Sequence, residues 1–139
     1  MSVFRPEFDS GYFNGLSEGL LPGLMGIRIM EIAQGRVLAR LEIRKALHAS
    51  NGFLHAGTVV TLADTACGYG CVAHLPAGAK GFTTIELKSN HLGTALDGVI
   101  EAEVKAAHLG RSTQVWDATV RHQGSGKTLA LFRCTQMIL

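Results

Sequence analysis

A single carboxylate, Asp64, lies within a long apolar segment of this sequence. It is the only charged side chain between residues 56 and 73, and its neighbours are apolar, small or hydroxyl-bearing. If the segment is a helix, Asp64 lies about two turns in, too far to cap the helix start or to meet its positive dipole. Burial disfavours an ionised carboxylate unless something pairs with it, a tension that is typical of active sites. Asp64 is therefore a candidate catalytic residue, and a structural Asp bonded to a nearby hydroxyl or amide is the alternative.

The residues just before this segment supply polar groups and a helix start. Asn51 and His55 belong to the sequence Asn-Gly-Phe-Leu-His-Ala-Gly, which ends with Ala56 and Gly57. The exposed backbone amides of a helix start, together with the helix dipole, can stabilise a developing oxyanion. These four residues are candidate site residues. Taken alone, Asn51 is also explained as a loop or capping residue, and His55 as a structural histidine.

The two groups of candidate residues lie too far apart on one helix to act on the same atom. Ala56 and Gly57 precede Asp64 by eight and seven residues, which corresponds to roughly 10 to 12 Å at the helical rise. If both groups act, they must come from different subunits. A composition of 47% hydrophobic and only 17% charged residues agrees with an oligomer that buries a subunit interface.

The pattern of the rest of the chain predicts an α+β domain. Residues 56–75 are continuously apolar and long enough for a buried helix, which Pro76 and Gly78 then stop. Alternation of apolar and polar residues predicts strands over 25–43 (a hairpin that turns at Gln34-Gly35), 83–88, 99–107, 113–120 and 127–138. We predict one domain over residues 1–139, with an amino-terminal helical segment over 1–20.

Composition excludes several classes of protein. A net charge of +2 without a Lys/Arg cluster argues against nucleic acid, and no apolar run reaches the roughly 18 to 20 residues of a membrane helix. The first ten residues lack the apolar core of a secretory signal. Cys67, Cys71 and Cys134 have no zinc-site spacing and are expected to be buried free thiols in a reducing cytoplasm. We expect no metal and no cofactor other than coenzyme A as part of a substrate.

Two stretches of this sequence resemble the hotdog-fold thioesterase superfamily. Residues 51–57, followed by Leu-Ala-Asp-Thr-Ala at 62–66, are similar to the His-Gly-Gly and Leu-Ala-Asp pattern of its phenylacetate-degradation and 4-hydroxybenzoyl-CoA thioesterase branch. Residues 84–88 and 108–112 look like a later strand and turn of the family. The resemblance implies one long central helix wrapped by a curved antiparallel β-sheet. It also implies homodimers with joined sheets, often paired into homotetramers, with active sites at the subunit interface.

The resemblance also implies roles for individual residues. Asp64 would act as nucleophile or as general base on water, and the Ala56 amide would polarise the thioester carbonyl. Thr84 matches a hydroxyl that helps to hold the water in some relatives, although an ordinary strand threonine is an equal interpretation. The candidates for binding coenzyme A are Asn90, His91, Arg111 and Ser112, and a solvated surface arginine is the alternative for Arg111.

Two departures from the family pattern concern the mechanism. Ala56 replaces the usual first glycine, which keeps the amide but adds a Cβ to the pocket. Ala49 stands where the family has Asn or Gln. His48 and Asn51 are the candidates to take over that polar role.

The function predicted from the sequence is hydrolysis of an aryl- or short- to medium-chain acyl-CoA. The acyl pocket would lie beside Phe53, Leu54, Tyr69 and Trp116. One alternative is a non-catalytic module that binds acyl-CoA. Another is an acyl thioester hydratase or dehydratase, which normally needs a His–carboxylate pair with the His on a proline-bearing loop, and the sequence around His55 has no proline.

Overall fold

The computed structural model describes residues 3–139, so the first two residues of the predicted amino-terminal segment 1–20 lie outside the described part of the chain. The helices are α1 (Ser10–Leu16), α2 (Leu21–Met25) and α3 (Ala56–Val72), and Lys45–Leu47 forms a single 3-10 turn. The strands are β1 (Arg28–Ala33), β2 (Arg36–Glu42), β3 (Phe82–His91), β4 (Val99–Leu109), β5 (Thr113–His122) and β6 (Thr128–Ile138). None of the helices in residues 3–139 combines the length and the apolar character that crossing a membrane requires.

The six strands form one antiparallel sheet that wraps around α3. Their order is β1-β2-β4-β5-β6-β3, and the helix contacts β2, β4, β5, β6 and β3. Burial alternates along β2, β4 and β5, because one face of each strand packs on the helix and the other faces outward. The predicted α+β architecture, the hairpin at Gln34-Gly35 and the six strands are confirmed.

Small residues let the sheet approach α3 closely. A Cβ added at Gly70 would lie 3.1 Å from the Trp116 ring and 3.2 Å from Val37, and one added at Gly68 would lie 3.1 Å from the Phe82 ring. These contacts explain why glycine is retained inside a helix despite its low helix propensity. The helix ends at Val72, three residues before the predicted end, and a hydrogen-bonded turn leads from there to Pro76.

Two surfaces of the chain remain uncovered next to each other. The side of α3 that carries Val60, Thr61, Asp64 and Thr65 is only half-buried, whereas the opposite side is fully buried. Within residues 3–139, β3 pairs with β6 alone, and its other edge has no strand beside it. Ile85 of β3 is 55% exposed. An exposed edge strand with apolar side chains is a surface on which another chain can pair.

A buried histidine fastens the end of α3 to the β1–β2 hairpin. The Nδ1 of His74 donates to the Gly70 carbonyl at 2.7 Å, and its Nε2 accepts from the Gly35 N–H at 2.8 Å. The ring is therefore neutral, because a protonated ring has no acceptor for Gly35. Burial lowers the pKa of His74 below its ordinary value. The cysteines are buried free thiols, as predicted.

Candidate active site

Asp64 lies in mid-helix with an unmet hydrogen-bonding demand. Its Oδ1 is buried and has no hydrogen-bond partner among the residues that the structure describes. Burial raises the pKa of the carboxyl group above its ordinary value. A carboxylate of this kind gains on accepting a proton or a hydrogen bond from a ligand or a water molecule. The alternative of a structural Asp bonded to a neighbouring group is not supported for this oxygen.

The helix start presents one free amide rather than two. His55 caps α3, and its Nδ1 accepts from the Gly57 N–H at 2.7 Å. The Thr58 N–H donates to the His55 carbonyl at 3.0 Å. The Ala56 N–H, in contrast, has no acceptor within residues 3–139. The available donor for an oxyanion is therefore Ala56, and the Gly57 amide would first have to give up its bond to His55.

A first cavity, cavity A, opens at this helix start and has a volume of about 380 Å³. It brings together three of the polar residues predicted from the sequence with the Ala56 backbone, and Ala49 lies in its wall. Its lining consists of Ala49, Asn51, Phe53, Leu54, His55, Ala56, Val59, His91, Gly93 and Thr94. Thr94 was not singled out from the sequence, because a lone threonine after a strand carries no distinctive signal.

The two candidates to replace the family's Asn or Gln differ in position. The Oδ1 of Asn51 accepts from the Phe53 N–H at 3.1 Å, so its NH₂ group is the part that a ligand in cavity A can use. His48 forms a hydrogen bond through Nε2 with the Leu96 carbonyl at 2.9 Å and is absent from the lining of cavity A. The geometry favours Asn51.

A second cavity, cavity B, lies on the other side of His55 and has a volume of about 530 Å³. Four apolar side chains from α2 and from the 3-10 turn line it, and Thr61 lines it from the half-buried side of α3. Its lining consists of Leu24, Met25, Arg44, Ala46, Leu47, His55, Gly57, Thr58 and Thr61. His55 thus separates two cavities that meet at the helix start.

The hydroxyl group of Thr84 is engaged within the sheet. Its Oγ1 donates to Oε1 of Gln136 at 2.7 Å. Gln136 is fully buried, and its Nε2 contacts the Cys134 sulfur at 3.3 Å. Gln136 was not predicted from the sequence, although its inward position in the alternating pattern of β6 marks it as a buried polar residue. Thr84 can still accept a hydrogen bond, and its predicted role in holding water stays a prediction.

The four candidates for binding coenzyme A do not form one cluster in a single chain. Asn90 and His91 are consecutive in β3 and point to opposite faces of the sheet. Arg111 and Ser112 lie in the exposed β4–β5 loop. Along β6, this loop and His91 are separated by the distance from Met137 to Ala130, roughly 23 Å at the strand rise.

One expectation about the acyl pocket is wrong. Trp116 has no exposed surface, and its indole N–H donates to Gln114 at 2.9 Å inside the core. Tyr69 stacks on Phe13 of α1, and its hydroxyl group lies 2.6 Å from that of Ser17. Phe53 and Leu54, in contrast, line cavity A beside Ala56, and whether they contact an acyl group stays a prediction. The tryptophan was misassigned because its alternating strand position is equally typical of a core residue.

A central helix wrapped by an antiparallel sheet, with a carboxylate in mid-helix and a free amide at its start, defines an α+β domain suited to acyl transfer. The model of the thioesterase superfamily matches residues 51–129. The chain belongs to the thioesterase superfamily and has its hotdog fold, which places it among the thioester hydrolases.

Individual relatives support this assignment. The 1,4-dihydroxy-2-naphthoyl-CoA hydrolase of Listeria monocytogenes is 32% identical over 111 residues, which cover 80% of this chain and 89% of the relative. A thioesterase from Pseudomonas aeruginosa, solved as a variant with one glutamine replaced by alanine, has a TM-score of 0.92 and 27% identity over 99% of both chains. The PaaI protein from the phenylacetic acid degradation operon of E. coli shares the fold, with a TM-score of 0.76 and 24% identity over 85% of this chain and 83% of its own.

Proposed function

We propose that this protein hydrolyses the thioester of an aryl- or short- to medium-chain acyl-CoA to the free acid and coenzyme A. The observation that carries the proposal is the buried Oδ1 of the half-buried Asp64, which has no hydrogen-bond partner within residues 3–139 and lies on a helix without any other charge. The relative from Listeria monocytogenes is named as a hydrolase of an aromatic acyl-CoA. Family membership and an aromatic acyl-CoA hydrolase at 32% identity both favour catalysis over a module that only binds acyl-CoA.

The proposed reaction divides the work between Asp64 and the helix start. As general base, Asp64 takes a proton from water while the water oxygen attacks the thioester carbonyl, and the oxyanion accepts a hydrogen bond from the Ala56 N–H. The tetrahedral intermediate then collapses, the carbon–sulfur bond breaks, and the proton passes to the leaving thiolate. A pKa raised by burial makes Asp64 a stronger base than an exposed aspartate. Direct attack by the carboxylate, which forms an anhydride that water then cleaves, is the other route open to the same residue.

We further propose that each site is shared by two chains. Ala56 and Asp64 belong to the same helix, α3, and are about 12 Å apart along it. One thioester carbon cannot contact both, so each group must act with its counterpart on a second subunit. The half-buried side of α3 and the free edge of β3 are the surfaces that such a partner would cover, and their apolar residues favour burial.

Pairing through β3 would also gather the residues that are separated in one chain. In an antiparallel pairing about a two-fold axis, the Phe82 end of one β3 lies beside the His91 end of the other. Ser112 lies at the Phe82 end, since its carbonyl accepts from the Ile138 N–H and Ile138 pairs with Phe82. Arg111 of one chain would then approach cavity A of the other, where a phosphate of coenzyme A could reach it. Assembly of two such dimers into a homotetramer belongs to the same proposal.

The test is Asp64→Asn, assayed over a panel of acyl-CoAs by release of free thiol. Loss of the catalytic base or nucleophile should lower the turnover of the best substrate by at least about a hundredfold. The fold should survive, because the amide is nearly isosteric and removes a charge that burial disfavours. Asp97→Asn, the same change in the exposed β3–β4 connection, is the matched control and should leave turnover unchanged.

Two results would contradict the proposal. If the folded Asp64→Asn protein keeps more than about a tenth of the wild-type rate, Asp64 is not the catalytic group. If the wild-type protein binds acyl-CoA but releases no thiol from any member of the panel, the chain is a binding module. Hydration of an unsaturated acyl-CoA in the same panel would instead indicate the hydratase alternative.

A further inference from the structure

The division of the site by His55 assigns a separate space to each half of the substrate. A thioester whose carbonyl oxygen lies at the Ala56 N–H occupies cavity A, which Ala56 lines. Cavity B borders the same histidine, His55, and is lined by the next residues of α3, Gly57 and Thr58. The coenzyme A part and the acyl part extend in different directions from the same carbonyl carbon. Each cavity can take one of the two parts. Four polar side chains line each cavity, and the feature that distinguishes cavity B is the guanidinium of Arg44.

Cavity A suits the pantetheine arm. Pantetheine carries two amide groups that need hydrogen-bond partners along an otherwise flexible chain. Asn51, His91 and Thr94 offer such groups in the wall of cavity A. His91 is also the inward-facing member of the pair expected to bind coenzyme A, and its ring lies 3.0 Å from the Ser89 hydroxyl. Cavity B is thereby left for the acyl group.

The walls of cavity B are apolar where α2 and the 3-10 turn form them, and the polar side chains of Arg44, His55, Thr58 and Thr61 complete the lining. Leu24, Met25, Ala46 and Leu47 form its apolar part, and a volume of about 530 Å³ is within the range of small-ligand sites. Leu24 is 73% exposed, so that a ligand in the cavity would remove apolar surface from water. An aromatic or short aliphatic acyl group matches these walls.

Arg44 adds a cation to this apolar space. Its guanidinium Nη2 donates to the Leu24 carbonyl at 2.5 Å, which holds the head group over α2. No carboxylate in the described part of the chain lies within 4 Å of it. A guanidinium has five N–H donors, so four remain after the bond to Leu24. Its planar fork matches a carboxylate in a two-point hydrogen-bonded pair.

We propose that cavity B is the acyl pocket and that Arg44 selects acyl groups with a carboxylate at the end remote from the thioester. This inference rests on the proposed thioesterase function and narrows its substrate class to thioesters of dicarboxylic acids, aromatic or short aliphatic. The thioester carbonyl lies at Ala56, the apolar part of the acyl group fills the space between Met25 and Leu47, and the remote carboxylate pairs with Arg44.

The experiment compares matched substrates that differ only in the remote carboxylate. Benzoyl-CoA is paired with 4-carboxybenzoyl-CoA, and hexanoyl-CoA with adipoyl-CoA. In the wild-type protein we expect kcat/KM to favour the acidic member of at least one pair by about tenfold or more. Arg44→Met, which keeps roughly the length of the side chain and removes its charge, should abolish this preference by lowering kcat/KM for the acidic substrate far more than for the neutral one.

Lys45→Met is the matched control, because it removes the same charge from the next residue, which is exposed and does not line cavity B. It should keep the preference of the wild-type protein. Arg44→Gln gives a second test of the charge, and thermal unfolding establishes that each variant is folded. If both Arg44 variants keep the preference, the assignment of Arg44 is wrong.

A phosphate of coenzyme A is the other oxyanion that Arg44 could bind, and shorter thioesters separate the two. The same acyl groups are presented as N-acetylcysteamine thioesters, which have no phosphate. We expect the preference for the acidic acyl group to persist and to depend on Arg44. If Arg44→Met instead raises KM equally for every acyl-CoA and has no effect on the short thioesters, Arg44 binds phosphate and the inference is overturned.

The design also separates failure of the inference from failure of the proposed function. Equal hydrolysis of acidic and neutral thioesters by the wild-type protein would refute the inference and leave the thioesterase function standing. Absence of hydrolysis with every acyl-CoA would refute both.

Discussion

The Ala56 amide can be removed without disturbing the helix that carries it, because Ala56 is the first residue of α3. Proline is favoured at this position, where the N–H has no partner inside the helix and a φ near −65° suits the first turn. The residue before a proline must be extended, and His55 already is, with φ −67° and ψ 133°. Ala56→Pro therefore deletes the N–H while the bond from Gly57 to the His55 ring remains possible.

The expected size of the effect follows from the role of the amide. Loss of one oxyanion donor typically costs about 100- to 1,000-fold in kcat, or about 3 to 4 kcal/mol of transition-state stabilisation. We expect Ala56→Pro to lose this much in thiol release from the best acyl-CoA, with a thermal midpoint close to that of the wild-type protein. Ala56→Gly keeps the N–H and is the matched control, and it should retain most of the activity. A folded Ala56→Pro protein with turnover within about threefold of the control would refute the oxyanion role.

The same variant tests whether sites are shared between chains. Chains with Ala56→Pro and chains with Asp64→Asn are unfolded, mixed in equal amounts and refolded together. In a mixed dimer with shared sites, one site carries both defects and the other carries neither. With random pairing, activity should return to roughly a quarter of the wild-type value. A mixture that stays as inactive as its parents, although mass analysis shows mixed dimers, would contradict the shared-site model.

Two further predictions concern binding and stability. Arg111→Ala should raise KM for acyl-CoA with little change in kcat, because a remote phosphate contact stabilises ground state and transition state alike. Added salt should reduce the rise in KM. An unchanged KM at low ionic strength would show that Arg111 is a solvated surface residue without a role in binding. Since burial lowers the pKa of His74, the unfolded chain takes up a proton near pH 6.5 that the folded chain resists, so His74 contributes stability above that pH and loses it as the pH falls. The free energy of unfolding, measured with urea at several pH values, should fall more steeply with pH between 7 and 5 in the wild-type protein than in His74→Gln, by up to about 1.4 kcal/mol per pH unit. The same pH dependence in both proteins would refute the argument.

Those features of the fold that depend on local pattern could be predicted from the sequence. Alternation located all six strands, and an unbroken apolar run before Pro76 located the central helix. The helix α2 and the 3-10 turn were missed, because five and three residues are too short for a hydrophobic period to show. These two short elements supply four of the nine residues that line cavity B, so the proposed acyl pocket was the part of the site that the sequence predicted least well.

The same distinction holds for the predicted site residues: those close in sequence were placed together correctly, and those that depend on side-chain direction were not. Asn51, His55 and Ala56 lie within a few residues of one another, so their convergence on cavity A follows from chain continuity. The Gly57 N–H is bonded to the His55 ring and only the Ala56 N–H is free, which depends on the direction of that ring and could not be predicted from residue spacing. β3 extends to His91, further than predicted, so Asn90 and His91 both lie in the strand. Adjacent residues in a strand point to opposite faces, and the two side chains therefore cannot bind the same group.

Three independent features of the single chain support a site that is completed by a second copy. Within residues 3–139, Asp64 has a buried oxygen without a hydrogen-bond partner and the Ala56 N–H has no acceptor, and the two are about 12 Å apart on one helix. A buried acceptor that remains unsatisfied is expensive unless a ligand or a neighbour supplies a donor, and the Ala56 N–H, on an exposed residue, is free to bind a ligand. A two-fold axis completes two sites at once, because a rotation that brings Asp64 of one chain to Ala56 of the other also brings Ala56 of the first chain to Asp64 of the second. In the proposed dimer the same operation would bring two β3 edges together, so the pairing that completes the site would also cover the exposed Ile85. Catalysis and assembly would then depend on the same interface, and a substitution that separates the dimer should abolish thiol release even with every catalytic residue intact.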